Sequence, residues 1–239
     1  MRLVLRYGGM QPLSRSSSDA PETITAKRVT NTIRQRREPV QVRSRESVGR
    51  ILEAAAELIE AEGLDTVTTR AIAERAGVSA PSLYRFFADR DEIFDRLLST
   101  QLAELDRHAE ATEATWEIAS VRDFVSRELE LHLAYYEKHP SFVRLWFGGR
   151  ISPTVVAEVH GRNRTLARRA RATLVAAGLV DPSVSETAFV LLVELGDRVL
   201  ELAFRDRPHA DDEVVKHGRD ALCSYLESIS APVAGHGSA

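Results

Sequence analysis

Residues Thr68 to Arg90, TTRAIAERAGVSAPSLYRFFADR, decide the fold. They read as two short helices joined by a tight turn. Ala73 is small enough to let the helices approach, and Gly77 supplies the positive φ that ends the first helix. Leu83 is the apolar plug carried by the second. Thr68 or Thr69 is placed to cap the helix over Ala71 to Ala76, and Ser79 the helix from Ala80 to Phe87, where Pro81 is tolerated in the first turn. Such a unit usually serves to put its second helix into the major groove of DNA.

Outward from this unit the helical pattern continues. Val48, Ile51, Leu52, Ala55, Leu58 and Ile59 recur at helical spacing in a segment starting at Ser44, which Gly63 ends as a C′ residue. Asp89 can cap a fourth helix with Ile93, Phe94, Leu97, Leu98, Leu102 and Leu105 as its stripe, running to about Ala109. Residues 119–138 place Val121, Val125, Leu129, His132 and Tyr136 on one face, with Phe124, Leu131 and Tyr135 beside it. Pro140 breaks that helix and a short aromatic segment, Phe142 to Phe147, follows. Ser152-Pro153 starts a long helix that Gly178 closes; Asp181-Pro182 repeats the start signal for a helix to about Arg205. Pro208 breaks it, Asp211 or Asp212 caps a last helix, and Leu222, Leu226 and Ile229 line its face. No stretch alternates with period 2, so the fold class is all-α, with about nine helices.

The chain has 239 residues, 44% hydrophobic and 28% charged, with a net charge of -3, so DNA binding needs a local basic patch. Residues 1–50 hold 11 Lys and Arg against 4 Asp and Glu, a net of +7, which leaves −3 − 7 = −10 on the rest. The expected organisation is a basic disordered tail over 1–43, a helix-turn-helix module over 44–92, a helical ligand-binding and dimerisation domain over 93–230 and a disordered tail over 231–239. The Lys27–Arg45 segment is either a solvated tail or an arm that tracks DNA phosphates. The single cysteine, Cys223, is expected to be a small buried hydrophobe, and with no disulfide possible a reducing compartment is expected. No apolar run approaches the ~20 residues of a membrane span. The first residues are too short and charged for a signal peptide. A cytoplasmic location without membrane partners follows as the expectation.

Ile51-Leu52-x-Ala54-Ala55, Gly63, Thr68-Thr69, Ile72-Ala73, Ala76-Gly77-Val78-Ser79, Leu83-Tyr84-x-x-Phe87 and Arg90-Asp91-Glu92 together resemble the TetR/AcrR family of transcriptional regulators. The likeness is strong over residues 46–98; beyond them it is one of kind, helical with two long terminal helices. It implies that the helix from Ala80 enters the major groove. Ala80, Pro81 and Ser82 would face base edges, reading thymine methyls or accepting one hydrogen bond. Arg70 would either form a bidentate guanine contact or pair with a phosphate. Thr68, Thr69, Ser79, Tyr84 and Arg90 are expected to position the backbone, and Phe87 to serve as contact or core. Arg90 stands where the family usually has Lys and keeps the charge.

The resemblance also implies a homodimer on a palindrome and a cavity for a small-molecule effector in the C-terminal helices. Leu191, Leu195, Val199, Leu222 and Leu226 are the expected dimer face. Trp116, Phe124, His132, Tyr136, Trp146 and Phe147 are either the lining of a pocket for an apolar or aromatic effector, with His132 as polar handle, or ordinary core. Arg162, Arg164, Arg168, Arg169 and Arg171 read as a solvated face, with an acidic ligand as the minor alternative. The expected function is a ligand-responsive repressor; an activator of the same fold is the first rival and a helical enzyme the second. Against the enzyme stand the lack of a Gly-rich phosphate loop, of His/Cys metal spacing and of a Gly-x-Ser-x-Gly elbow, so no cofactor, metal or catalytic residue is expected.

Overall fold

Nine helices make up the described residues, 34–148, 151–205 and 209–230, of this computed structural model. They are α1 Arg34–Glu62, α2 Thr69–Arg75, α3 Ala80–Tyr84, α4 Arg90–Glu113, α5 Val121–Lys138, α6 Pro140–Gly148, α7 Pro153–Ala176, α8 Glu186–Phe204 and α9 Asp212–Ser230. The expected tails over 1–33 and 231–239, and the Pro208 break, lie outside the described residues.

Most helix ends follow from side-chain chemistry already visible in the sequence. Gly63 and Gly77 adopt φ of 85° and 63°, the left-handed geometry that closes a helix without Cβ strain. Thr68 Oγ1 accepts from Ala71 N at 3.2 Å, which makes it, rather than Thr69, the cap of α2. Ser79 caps α3 from Ser82 N, and Asp89 caps α4 from Glu92 N at 2.8 Å. Ser152, followed by Pro153, starts α7.

Four bounds differ from expectation. α1 begins at Arg34 rather than Ser44, because Arg34 to Glu38 are good helix formers without apolar periodicity. α3 ends at Tyr84, three residues short of Phe87, while α4 continues to Glu113. α8 starts at Glu186, not at Pro182: Asp181 Oδ1 accepts from Ser183 N in a local turn, and Ser185 is the true cap.

The chain divides at Val40, and its core lies in the unit from Gln41 to Ala239. Ile51, Leu58, Ile59, Val67, Ile72, Leu83, Phe87 and Ile93 form the buried centre around α1 to α3 and the start of α4. Further on, α7 packs on α8, α8 on α9 and α9 on α5. α6 seats fully buried Phe142 against Tyr135 and Tyr136, with ring centroids 5.7 and 5.1 Å apart. Tyr135 Oη donates to Gln101 O at 3.0 Å, and Gln101 Nε2 donates to Ser141 Oγ at 3.1 Å, which joins α4, α5 and α6.

α8 and α9 meet at Gly218, where an added Cβ would lie 2.2 Å from Val199 Cγ1 and 3.1 Å from its Cβ. The stiff valine has little room to give. Gly218→Ala is expected to lower unfolding free energy by about 1–3 kcal/mol. Gly161→Ala, in an interior turn of α7 with open space around it, is expected to raise it by up to about 1 kcal/mol. Urea unfolding of both variants checks the opposite signs.

Candidate nucleic-acid interface and effector cavity

The helix-turn-helix exposes a polar surface on a buried base. Arg70, Ser79, Ala80, Pro81 and Tyr84 are exposed, and Ser82 is half-buried, while Ile72, Ala73 and Leu83 lie beneath. Tyr84 is 54% exposed, and its hydroxyl lies 3.0 Å from Thr69 Oγ1, so one hydrogen bond ties α3 to the start of α2. Arg70 makes no hydrogen bond or ion pair among the described residues, which leaves its guanidinium available.

Two residues named for DNA contact are engaged within the protein. Phe87 is 4% exposed and belongs to the core, because α3 stops at Tyr84 and the chain turns inward. Arg90 is engaged within the protein: Nη1 donates to Val67 O at 3.2 Å, Nε lies 3.5 Å from Asp91, and the guanidinium sits 5.2 Å from the Phe94 ring centroid. It braces the segment before α2 against α4. Arg85, not singled out in sequence, is exposed over the Phe86 ring at 4.8 Å.

A mostly apolar cavity of about 100 Å³ lies between α5, α7, α8 and α9 and reaches the end of α4. That volume is large enough for several water molecules or a small ligand. Phe124, Leu129, Leu166, Leu192, Leu200 and Leu222 form apolar walls; Glu113, Glu128, His132, Arg169 and Asp197 are the ionisable lining. Phe124 and His132 are thus where the pocket reading put them. Trp116, Tyr136, Trp146 and Phe147 are not part of its lining. Tyr136 is buried against Phe142, Phe147 and Phe204, and Trp146 stacks near Phe142, so these rings are core. Trp116 packs half-buried at the end of the α4 segment.

The arginine run is not one solvated face. Arg162 has a 9% exposed side chain and holds Asp106 at 2.7 Å. Arg169 reaches Glu113 at 2.6 Å and Glu110 at 3.1 Å, and Arg171 donates to Val184 O at 2.8 Å. Arg164 and Arg168 are exposed. Asn163, 1% exposed, donates through Nδ2 to Glu194 at 3.0 Å and Asp197 at 3.1 Å. Arg162 Nη2 and Asn163 Oδ1 are buried without hydrogen-bond partners among the described residues.

The dimer face is also revised. Leu191, Leu195 and Leu202 are exposed along α8 and Val199 is half-buried beside them. Leu222 and Leu226 are 5% and 0% exposed within the protomer, on the inner side of α9, so neither can meet a partner.

Residues 51–97 match the family model described as bacterial regulatory proteins, tetR family, and residues 119–229 match the tetracyclin repressor-like C-terminal domain. The fold and these matches define a helix-turn-helix transcriptional regulator with a helical C-terminal domain. The chain belongs to the TetR family, a family of DNA-binding transcriptional regulators. It is similar to the HTH-type transcriptional repressor DrrR1 of Streptomyces coeruleorubidus, 30% identical over 94 residues, 39% of this chain and 33% of the relative. The chain therefore spans about a third of that relative's length. A TetR-family regulator from Streptomyces coelicolor is structurally similar at TM-score 0.60 and 26% identity, over 77% of this chain and 99% of the other. A regulator FadR from Bacillus subtilis, in complex with stearoyl-CoA, shares the fold at TM-score 0.56 and 15% identity, over 75% of this chain and 97% of that one. No helix among the described residues is long and apolar enough to cross a membrane.

Burial dominates the titration of the cavity groups. The Glu128 carboxyl is pushed up to about 8 by desolvation, with the nearby Glu113 charge adding to it. Desolvation pushes Asp197 up to about 6 and His132 down to about 4, and raises Glu113. His132 Nδ1 lies 2.8 Å from Glu128 O; the neutral ring donates there and leaves Nε2 as an acceptor. Sequence reading missed Glu113, Glu128 and Asp197, and placed Arg169 in the arginine run. The one available signal was Glu128 four residues before His132 on the same helical face.

Between about pH 4.5 and 8 folded Glu128 binds a proton that the unfolded chain has released, so its contribution to stability falls as pH rises. His132 acts oppositely between about pH 4 and 6.5, where only the unfolded chain binds the proton. Above pH 6.5 Glu128 acts alone among the two. Urea midpoints of the wild type are expected to fall from pH 6.5 to 8, and those of Glu128→Gln to be flatter; parallel curves would refute the assignment.

Proposed function

We propose that this TetR-family regulator is a ligand-responsive repressor, acting in the cytoplasm as a homodimer on a palindromic operator. Residues 44–92 bind DNA and residues 93–230 bind effector and partner. Arg70 reads a base, Thr68, Thr69, Ser79 and Tyr84 hold phosphates, and the Ala80-Pro81-Ser82 tip reads groove shape and thymine methyls. The free Arg70 beside the Thr69–Tyr84 hydroxyl pair supports this division. Leu191 and Leu195 on α8 carry the dimer contact; an exposed apolar ridge of this kind asks for a partner.

The observation that carries the ligand response is the link from cavity to α4. Arg169 lines the cavity and holds Glu110 and Glu113 on α4, the helix that begins directly after the helix-turn-helix. Arg162 to Asp106 and Ser99 to Glu158, at 2.7 and 2.8 Å, extend the same seam. α6 adds a second connection, since Arg144 Nη1 donates to Ile59 O at 2.5 Å and Ser141 N to Glu60 Oε1 at 3.2 Å. An effector that favours a different setting of Arg169 tilts α4. The tilt moves the two recognition helices off the ~34 Å spacing of successive major grooves.

Selection of bound fragments from random duplex DNA supplies the operator. On it, Arg70→Ala is expected to relax preference at one base pair by about 1–3 kcal/mol. Tyr84→Phe, by contrast, weakens all sequences alike. Unchanged preference in Arg70→Ala would remove the base-reading role. Leu191→Glu combined with Leu195→Glu is expected to sediment as a monomer and lose operator affinity; a dimer of wild-type stability would move the interface elsewhere.

A further inference from the structure

Resting on the effector-cavity reading above, we propose that the effector is a compact lipophilic amine, bound with its ammonium against Glu128 and Asp197 and its hydrocarbon body against Leu129, Leu166, Leu192 and Leu200. The cavity's ionisable lining is unbalanced. Among the lining residues Glu113, Glu128 and Asp197 stand against one cation, Arg169, whose guanidinium is already held by Glu113 and Glu110; Arg162, outside the lining, also acts on Glu128 and Asp197. Glu113 is therefore matched. Glu128 has no hydrogen bond to its carboxylate among the described residues; the neutral His132 ring lies 3.9 Å away. Asp197 receives one hydrogen bond, from the amide of Asn163. His132, whose Nδ1 donates to Glu128 O, adds Nε2 as a further acceptor on the lining. The region around Glu128 thus offers acceptors and apolar walls, the complement of an N–H-rich head on a hydrocarbon body. Arg162 is not in the cavity lining; its Nε holds Asp106 and its buried Nη2 has no partner among the described residues, while the one cation that does line the wall, Arg169, is held by Glu113 and Glu110.

Ammonium binding requires ionised Glu128. Below its elevated titration point the neutral carboxyl gives up its proton to solvent as the ammonium arrives, so affinity for the amine rises with pH. The groups that face Glu128 and set this behaviour are Glu113 on α4, His132 on α5, and Arg162 and Arg169 on α7; Asp106 faces His132 and Asp197 lines the same cavity from α8.

Cyclohexylamine, cyclohexanol and cyclohexanecarboxylate share one hydrocarbon body and differ in the head group. Their affinities for the full chain are measured by thermal-shift titration at pH 6, 7 and 8, alongside operator binding. The amine is expected to bind tightest and to gain affinity from pH 6 to 8, while cyclohexanol stays flat. Glu128→Gln is expected to weaken the amine by about 30-fold or more and leave cyclohexanol unchanged, and Asp197→Asn to give a smaller loss. Equal or tighter binding of cyclohexanol or the carboxylate to the wild type overturns the amine class and leaves the effector cavity standing. So does an amine affinity untouched by both substitutions. If none of the three binds a protein that still binds its operator, the cavity reading falls with it.

Discussion

The contact between α7 and α4 is a row of charges. Asp106, Glu110 and Glu113 recur at the helical spacing that keeps them on one face of α4, and Arg162 and Arg169 do the same on α7. Two guanidinium groups brought close to an apolar cavity must be neutralised, because a buried unpaired charge is far costlier than a paired one. The pairing fixes the register of α7 along α4 and so the shape of the cavity. It also makes the cavity wall continuous with the helix that begins directly after the helix-turn-helix.

The helix-turn-helix was legible because its determinants are local. Thr68, Gly77 and Ser79 act within three or four residues of their own positions, through caps and a positive φ, and a local rule can be read from a string. The limits of local reading show at Phe87: the residue sits one turn past the end of α3, and only the direction of the chain there puts it in the core. The cavity was far less legible. Arg162 and Arg169 find partners 56 to 59 positions away, so in sequence they look like a solvated run. Aromatic residues were a poor guide, since Tyr136, Phe142 and Phe204 pack on one another, and the cavity's ionisable lining comes from Glu113, Glu128 and Asp197 elsewhere.

α8 and α9 divide the residues expected at a dimer face between the surface and the core. The sequence of α8, ETAFVLLVELGDRVLELAF, is apolar almost all round. Leu192, Gly196 and Leu200 face the cavity, whereas Leu191, Leu195 and Leu202 face outward. Periodicity cannot divide such a helix, because each side has its own reason to be apolar. On α9 the opposite holds: a single apolar stripe with Leu222 and Leu226 was available, and the protomer itself uses it.

The contact of Gly218 with Val199 gives the molecule a direction. Two helices that meet at such close range leave little slack between them at that point. On the proposed reading, a guest entering the cavity would find little give there. The walls that can yield are those held by long, jointed arginine side chains, on the side of α7 and α4. On the proposed ligand response, swelling of the cavity would be channelled away from the outward ridge of α8 and toward the helix-turn-helix, as in a vice with one fixed and one sliding jaw.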